Sequence, residues 1–200
     1  MKITSIKQQL KQKDRYSVFV DGKYEFSLGE TALLESKLTS GEEISAGQLR
    51  ELKKLSEDDK IYNQTLRYIA LRPRSEWEIK FYLEKKKKAS PALTESILNK
   101  LSIIDLIDDE KLAKAFVSDR RLLRPASRRK LVNELRKKHI SEEIIEKAIG
   151  RESEDEQTAL TAVIEKARRQ TKYQNDEKLM QYLARQGFNY GDIKDALNND

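Results

Sequence analysis

The feature that most constrains this chain is a helix start that occurs twice, in the same order and with the same apolar followers. Leu71-Arg72-Pro73-Arg74-Ser75 leads to Ile79 and Leu83, and Leu123-Arg124-Pro125-Ala126-Ser127 leads to Leu131 and Leu135, with a spacing of 52 kept throughout. A weaker third copy without the proline, Lys178-Leu179-Met180-Gln181-Tyr182-Leu183, follows 48 positions after the second. Two offsets support the alignment: Ile140 and Phe188 lie five residues after Leu135 and Leu183, and Ile145 and Ile193 lie ten after. Self-similarity at such a period marks a repeat protein, in which small helical groups bury their apolar faces against their neighbours. Chains of this kind present binding surfaces more readily than enclosed catalytic clefts.

Composition agrees with helical repeats. With 38% hydrophobic and 37% charged residues, seven glycines and three prolines, long charged helices are favoured over a sheet-rich globule. The absence of cysteine excludes disulfides and thiolate metal sites and is compatible with a reducing compartment, so a cytoplasmic location is expected. No N-terminal run resembles a signal peptide, and no stretch of about 18 apolar residues suggests a membrane span. The net charge of +6 is segregated: residues 1–60 are neutral, residues 61–140 carry +10 and residues 141–200 carry −4. An excess concentrated in one segment predicts a basic face seeking a polyanionic or acidic partner.

The first segment reads as strands around Ile3 and Ile6, Tyr16–Val20 and Tyr24–Leu28, with Asp21-Gly22 as a type I′ hairpin turn. Helices are expected over Glu30–Leu38 and, with Leu49, Leu52 and Leu55 as the apolar row, Ser45–Glu57, giving a βββαα module at residues 1–57. From Asp58 the pattern turns helical with Tyr62, Leu66, Ile69 and Ala70. Ser75 and Glu78 form a capping box, Ser90-Pro91 starts another helix, and Asp108-Asp109-Glu110 charges the start of the next, whose buried stripe is Leu112, Ala115, Phe116 and Leu122. Ser127 and Ser141 cap two helices of the second unit. Asn175 starts a helix that Gly187 ends in a left-handed cap, before a last helix from Asn189. The repeats divide at 58–122, 123–170 and 171–200. In the first, the segment between helices is longer by about five residues and holds Lys85 to Lys88.

The residue inventory argues against catalysis. His139 is the one histidine, in an inter-helix turn, so neither a His-based metal cluster nor a Ser/His/Asp arrangement is available. The acid pairs Asp58-Asp59, Asp108-Asp109 and Glu142-Glu143 read as helix starts, and no glycine pattern forms a phosphate-binding loop. No enzyme activity, metal or cofactor is expected. What remains is the basic series: Arg120, Arg121, Arg124, Arg128, Arg129, Lys130, Arg136, Lys137 and Lys138 crowd together with only Glu134 opposing them. Helical spacing brings Arg121, Arg124 and Arg128 towards one another around Pro125, and the planar guanidinium fork suits carboxylate or phosphate. Arg72 and Arg74 flank the first proline, and Lys85, Lys86, Lys87 and Lys88 extend the candidate contact set. Trp77 reads as core on its helical spacing.

The runs Thr65–Glu76 and Leu106–Val117, with the segment from Arg128-Arg129-Lys130-Leu131 to Ile140, resemble the bacterial regulatory protein RecX family. The likeness covers residue 61 to the end, and the strand-rich start resembles an extension of longer members. The chain departs from the family at Lys86–Ala89 and Lys138-His139, which lack the glycine that ends these repeat helices, whereas Gly187 supplies it in the third. The resemblance implies a mainly α fold of three tandem three-helix repeats in an elongated curved body behind a small β-rich module. It further implies a monomer that binds the RecA recombinase in its filament on DNA and restrains recombination without turnover of its own. Single- or double-stranded DNA contact through the same basic residues is the alternative, a non-specific nucleic-acid binder. On charge, the first two repeats should grip the partner and the acidic third should complete the body.

Overall fold

The computed structural model describes residues 1–150 and 153–198, which form two compact bodies, Met1–Pro73 with Ile79–Ile103 and Arg74–Glu78 with Ile104 onward. The first opens with an antiparallel meander of β1 (Ile3–Gln8), β2 (Arg15–Val20) and β3 (Lys23–Gly29). Asp21 and Gly22 both hold positive φ, 49° and 81°, as the type I′ turn requires. Helix α1 (Glu30–Ser36) ends with Lys37 in the left-handed region, shorter than the sequence suggests. Beyond Gly41 the chain returns along β1, where the Ile3 amide donates to Glu42 O at 2.9 Å and the Gly41 amide to Ile3 O at 2.8 Å. The sheet, α1 and this returning segment enclose Ile3, Val18, Val20, Phe26, Leu28, Ala32 and Ile44.

Helix α2 (Ala46–Ala70) runs without a break through residues 57 and 58, where the sequence pattern suggests a helix end. The reason is tertiary. Asp59 does not start a helix; its carboxylate is buried against Arg15 at 3.1 Å and accepts from the Gly29 amide at 2.9 Å. Arg15 also donates to Ser27 O, which takes the Ser56 hydroxyl at 2.6 Å. This buried polar cluster fastens mid-helix to strand ends, and each group in it is paired, as burial demands.

Helix α3 (Glu76–Phe81) continues into a π-helical turn, Tyr82–Lys86, and α4 (Pro91–Ile103) follows. Ile79, Leu83, Ile97, Leu98 and Leu101 are buried there, and Tyr82 stacks on Tyr68 with centroids 4.0 Å apart. The second body holds α5 (Asp109–Leu123), α6 (Arg128–Arg136), α7 (Glu142–Ile149), α8 (Ser153–Arg168), a 3-10 turn at Thr171–Tyr173, α9 (Asp176–Gln186) and α10 (Tyr190–Asn198). Two apolar clusters organise it. Ala113, Val117, Leu131, Leu135, Ile140 and Ile145 join α5, α6 and α7, while Leu160, Ile164, Leu179, Leu183, Phe188 and Ile193 join α8, α9 and α10. The stripe of α5 is rotated from the expected one: Ala113 and Val117 are buried, Leu112 and Phe116 half-buried, Ala115 and Leu122 exposed.

The repeat helices end alike despite the missing glycines. Gly187 takes φ 97°, His139 φ 57° and Lys88 φ 55°. The amide that follows each of these left-handed residues returns to the repeat leucine: Phe188 to Leu183 O and Ile140 to Leu135 O, both 3.3 Å, and Ala89 to Leu83 O at 3.0 Å. The first copy spans one residue more, and the π turn absorbs it. Lys85 and Lys86 therefore continue the helix instead of lying in a loop.

Candidate interaction surface

The recurring Pro-x-Ser start turns out to be a clasp. Ser75 accepts from the Glu78 amide at 3.3 Å, and Glu78 returns to the Ser75 amide at 3.1 Å, completing the capping box. The Ser75 hydroxyl then donates to Lys138 O, at the C-terminal end of α6, at 2.6 Å. One repeat on, Ser127 accepts from the Lys130 amide at 3.2 Å and donates to Gln186 O, at the C-terminal end of α9, at 2.7 Å. The two acceptors are themselves 48 residues apart, the second repeat spacing. Each fully buried serine thus caps its own helix and satisfies an orphan carbonyl of another.

A second bond accompanies each serine. The Glu76 amide donates to Asp109 Oδ1 at 2.9 Å, and the Arg128 amide donates to Glu156 Oε2 at 2.6 Å. Burial pushes both carboxyls above their usual range, and the amide each accepts from pulls in the other direction. Asp109 is therefore spent on α3, and the start of α5 is capped by Asp108, which accepts from the Lys111 amide at 2.9 Å. The sequence shows Asp109 as a first-turn residue; that it and Glu156 each accept from the first amide of a helix other than their own is set only by packing.

The same junctions consume much of the basic series. Arg120 grips Glu134 with two nitrogens. Arg121 donates to Ile149 O and to Asp155, both at 2.6 Å, and Arg128 donates to Gly150 O and to Glu146. Arg121 and Arg128 do converge, but on the carbonyl end of α7, where cations suit the helix dipole. Arg124 is not with them. Lys130 Nζ donates to Gln186 Oε1 at 2.6 Å, Arg136 holds Glu142 with two bonds at 2.6 and 2.9 Å, and Lys138 lies 3.9 Å from Glu78 and over the Phe116 ring. That pairing keeps the Glu142 carboxyl below its usual range.

Arg124, Arg129 and Lys137 are exposed and form no ion pair with a described residue. Arg124 and Lys137 border an open groove of about 680 Å³ with Phe116 and Leu123. Arg72 is exposed and donates to Pro73 O at 3.0 Å, and Arg74 is half-buried. Lys85, Lys86 and Lys88 are exposed, and the Lys87 ammonium sits 5.1 Å from the Tyr82 ring. Trp77 is not core: it is half-exposed and stacks on His139 at 3.6 Å, the ring that occupies the left-handed cap. Among the described residues no group of His, Asp or Glu is placed to hold a metal ion, and no helix is long and apolar enough to cross a membrane.

Comparison with known proteins agrees with this organisation. Residues 1–45 match the model of the regulatory protein RecX N-terminal domain, residues 108–149 that of the RecX second three-helix domain, and residues 154–197 that of the third. The regulatory protein RecX of Listeria welshimeri is 34% identical over 157 residues, 78% of this chain and 58% of its own length. That of Halalkalibacterium halodurans is 33% identical over 189 residues, 92% of this chain and 71% of its own. A crystal structure of regulatory protein RecX superposes with a TM-score of 0.76 at 29% identity, covering 97% of this chain and 98% of that one. RecX from Lactobacillus salivarius, at 24% identity and a TM-score of 0.61 over 72% of this chain and 96% of its own, shares the fold.

Proposed function

The chain belongs to the RecX family of regulatory proteins, and from that premise we propose that it binds the RecA recombinase on its DNA filament and restrains recombinase activity. The observation that carries this reading is the exposure of Leu123 and Arg124 beside the second proline junction, where most neighbouring cations are already bound internally. An exposed apolar side chain beside an exposed guanidinium at the mouth of one groove offers a partner both apolar area to cover and a cation to pair with a carboxylate or phosphate. The chain acts in this reading as a monomer in the cytoplasm and by occupancy, through steric block of filament growth or strand exchange, with no chemistry of its own. Lys85, Lys86 and Lys88 add positive charge that attracts an acidic or phosphate-bearing partner.

The test is recombinase ATPase and strand exchange on single-stranded DNA, with and without the chain. Suppression at substoichiometric chain, weakened in Arg124→Glu, is the expected result. Undiminished ATPase and strand exchange at saturating chain would sink the proposal.

A further inference from the structure

We infer that the groove between the outer face of α6 and the last turn of α9 is a phosphate track for a nucleic-acid strand, held by Arg129, Lys137 and Arg185. This deepens the recombinase reading by naming which component of the filament the groove meets, and it rests on that reading for where such a strand is encountered. Arg185 lies in the repeat whose net acidity argues on sequence for a merely structural part.

The two Ser clasps share one geometry but differ in the chemistry beside them. At the first, Trp77 stacks on His139 and Lys138 faces Glu78, so the positions beside the clasp are filled by rings and a neutralised pair. At the second, 52 residues on, Trp77 and Glu78 are replaced by Arg129 and Lys130, and the capping residue is Gly187. A Cβ built on Gly187 would lie 2.7 Å from Ser127 Oγ and 3.4 Å from Arg129 Cβ, so the backbone passes closely under the Arg129 stem. The space a ring fills at the first junction is an open groove of about 470 Å³ at the second.

That groove is charged and preorganised. Four cations line it, Arg129, Lys130, Lys137 and Arg185, against the single acid Glu134, whose two oxygens are already held by Arg120. Lys130 is anchored on Gln186 Oε1 and Ser127 on Gln186 O, which fixes α6 against the end of α9. Arg129, Lys137 and Arg185 are exposed, with no ion pair to a described residue. Ala184 is the largest apolar side chain in the lining. A protein partner held tightly needs an aromatic or aliphatic anchor in a pocket; base stacking needs a ring. A groove lined by guanidinium, ammonium and amide groups, without a ring or a large aliphatic side chain, matches the sugar-phosphate backbone, which is bound without regard to sequence.

The probe is a labelled oligothymidylate titrated over a salt series with the full chain, with Arg129→Ala/Lys137→Ala/Arg185→Ala, and with Lys11→Ala/Lys13→Ala/Lys23→Ala, which removes the same charge from exposed positions of the N-terminal module. Each phosphate contact contributes about 0.7 to the log–log salt slope, so the groove variant should be shallower by about 2 and Arg185→Ala alone by about 0.7, with the control unchanged. A groove variant with the parental slope, a control that loses as much, or a parent that does not bind the oligonucleotide overturns the assignment. So does a groove variant that keeps oligonucleotide binding but no longer binds recombinase filaments, since the groove would then hold protein carboxylates. A parent with the expected slope that leaves recombinase untouched removes the regulator reading and leaves the track standing.

Discussion

Replacing Ser127 with alanine removes one oxygen and two hydrogen bonds that lie 59 residues apart in sequence at one end and three at the other. Loss of the cap to the Lys130 amide costs about 1 kcal/mol. The second loss is larger, because the Gln186 carbonyl is left without its partner beside a fully buried position, which costs about 1–3 kcal/mol. The sum is about 2–4 kcal/mol, a large share of the roughly 5–15 kcal/mol that holds a typical domain together. Ser141→Ala is the matched comparison, since that exposed serine caps the Ile144 amide at 3.4 Å and has no second bond among those described; it should cost about 1 kcal/mol or less. Urea unfolding of both variants followed by far-UV dichroism gives the difference, and hydrogen exchange should place the added Ser127→Ala loss at the amides of α6 and α9. Equal costs, within about 0.5 kcal/mol, would refute the idea that the serine joins one repeat to the next.

Three further outcomes are expected. Lys88→Gly should raise the urea midpoint, worth up to about 1 kcal/mol, because a glycine takes the left-handed φ of 55° without the Cβ clash a lysine bears. Asp59→Ala should destabilise by about 3–5 kcal/mol in the same assay, since it strands the buried Arg15 guanidinium. For Asp109, burial raises the folded-state pKa, so its contribution to stability is full below the unfolded value near 3.9 and falls as pH rises through the window above it. Asp109→Asn keeps an oxygen for the Glu76 amide and removes that titration, so the stability of the wild type relative to the variant should decline with rising pH across this window.

Local order is written in the sequence. Ser75, Ser127, Ser141 and Asn175 cap helices because each oxygen reaches an amide three residues on, and Asp21-Gly22 turns because two adjacent residues accept positive φ. The period follows from leucines and isoleucines at fixed offsets, which packing against a neighbour rewards in every copy. Those interactions span a few residues, so composition and spacing determine them. The fate of each charge is different in kind. Whether an arginine meets Glu134, the end of α7 or solvent depends on groups 14 to 28 residues away, and whether a serine clasps a carbonyl depends on one about 60 away. Sequence spacing therefore predicts Arg121, Arg124 and Arg128 as one cluster, while the folded chain engages Arg121 and Arg128 in bonds to the end of α7 and to nearby carboxylates and leaves Arg124 exposed. The same distance rule applies to Asp59, read locally as a helix start and spent in the fold on Arg15, 44 residues earlier. The helices and their repetition are local consequences of side-chain reach and backbone geometry; which cations remain free to hold a partner is decided only once tertiary packing has brought distant carboxylates and carbonyls within bonding distance.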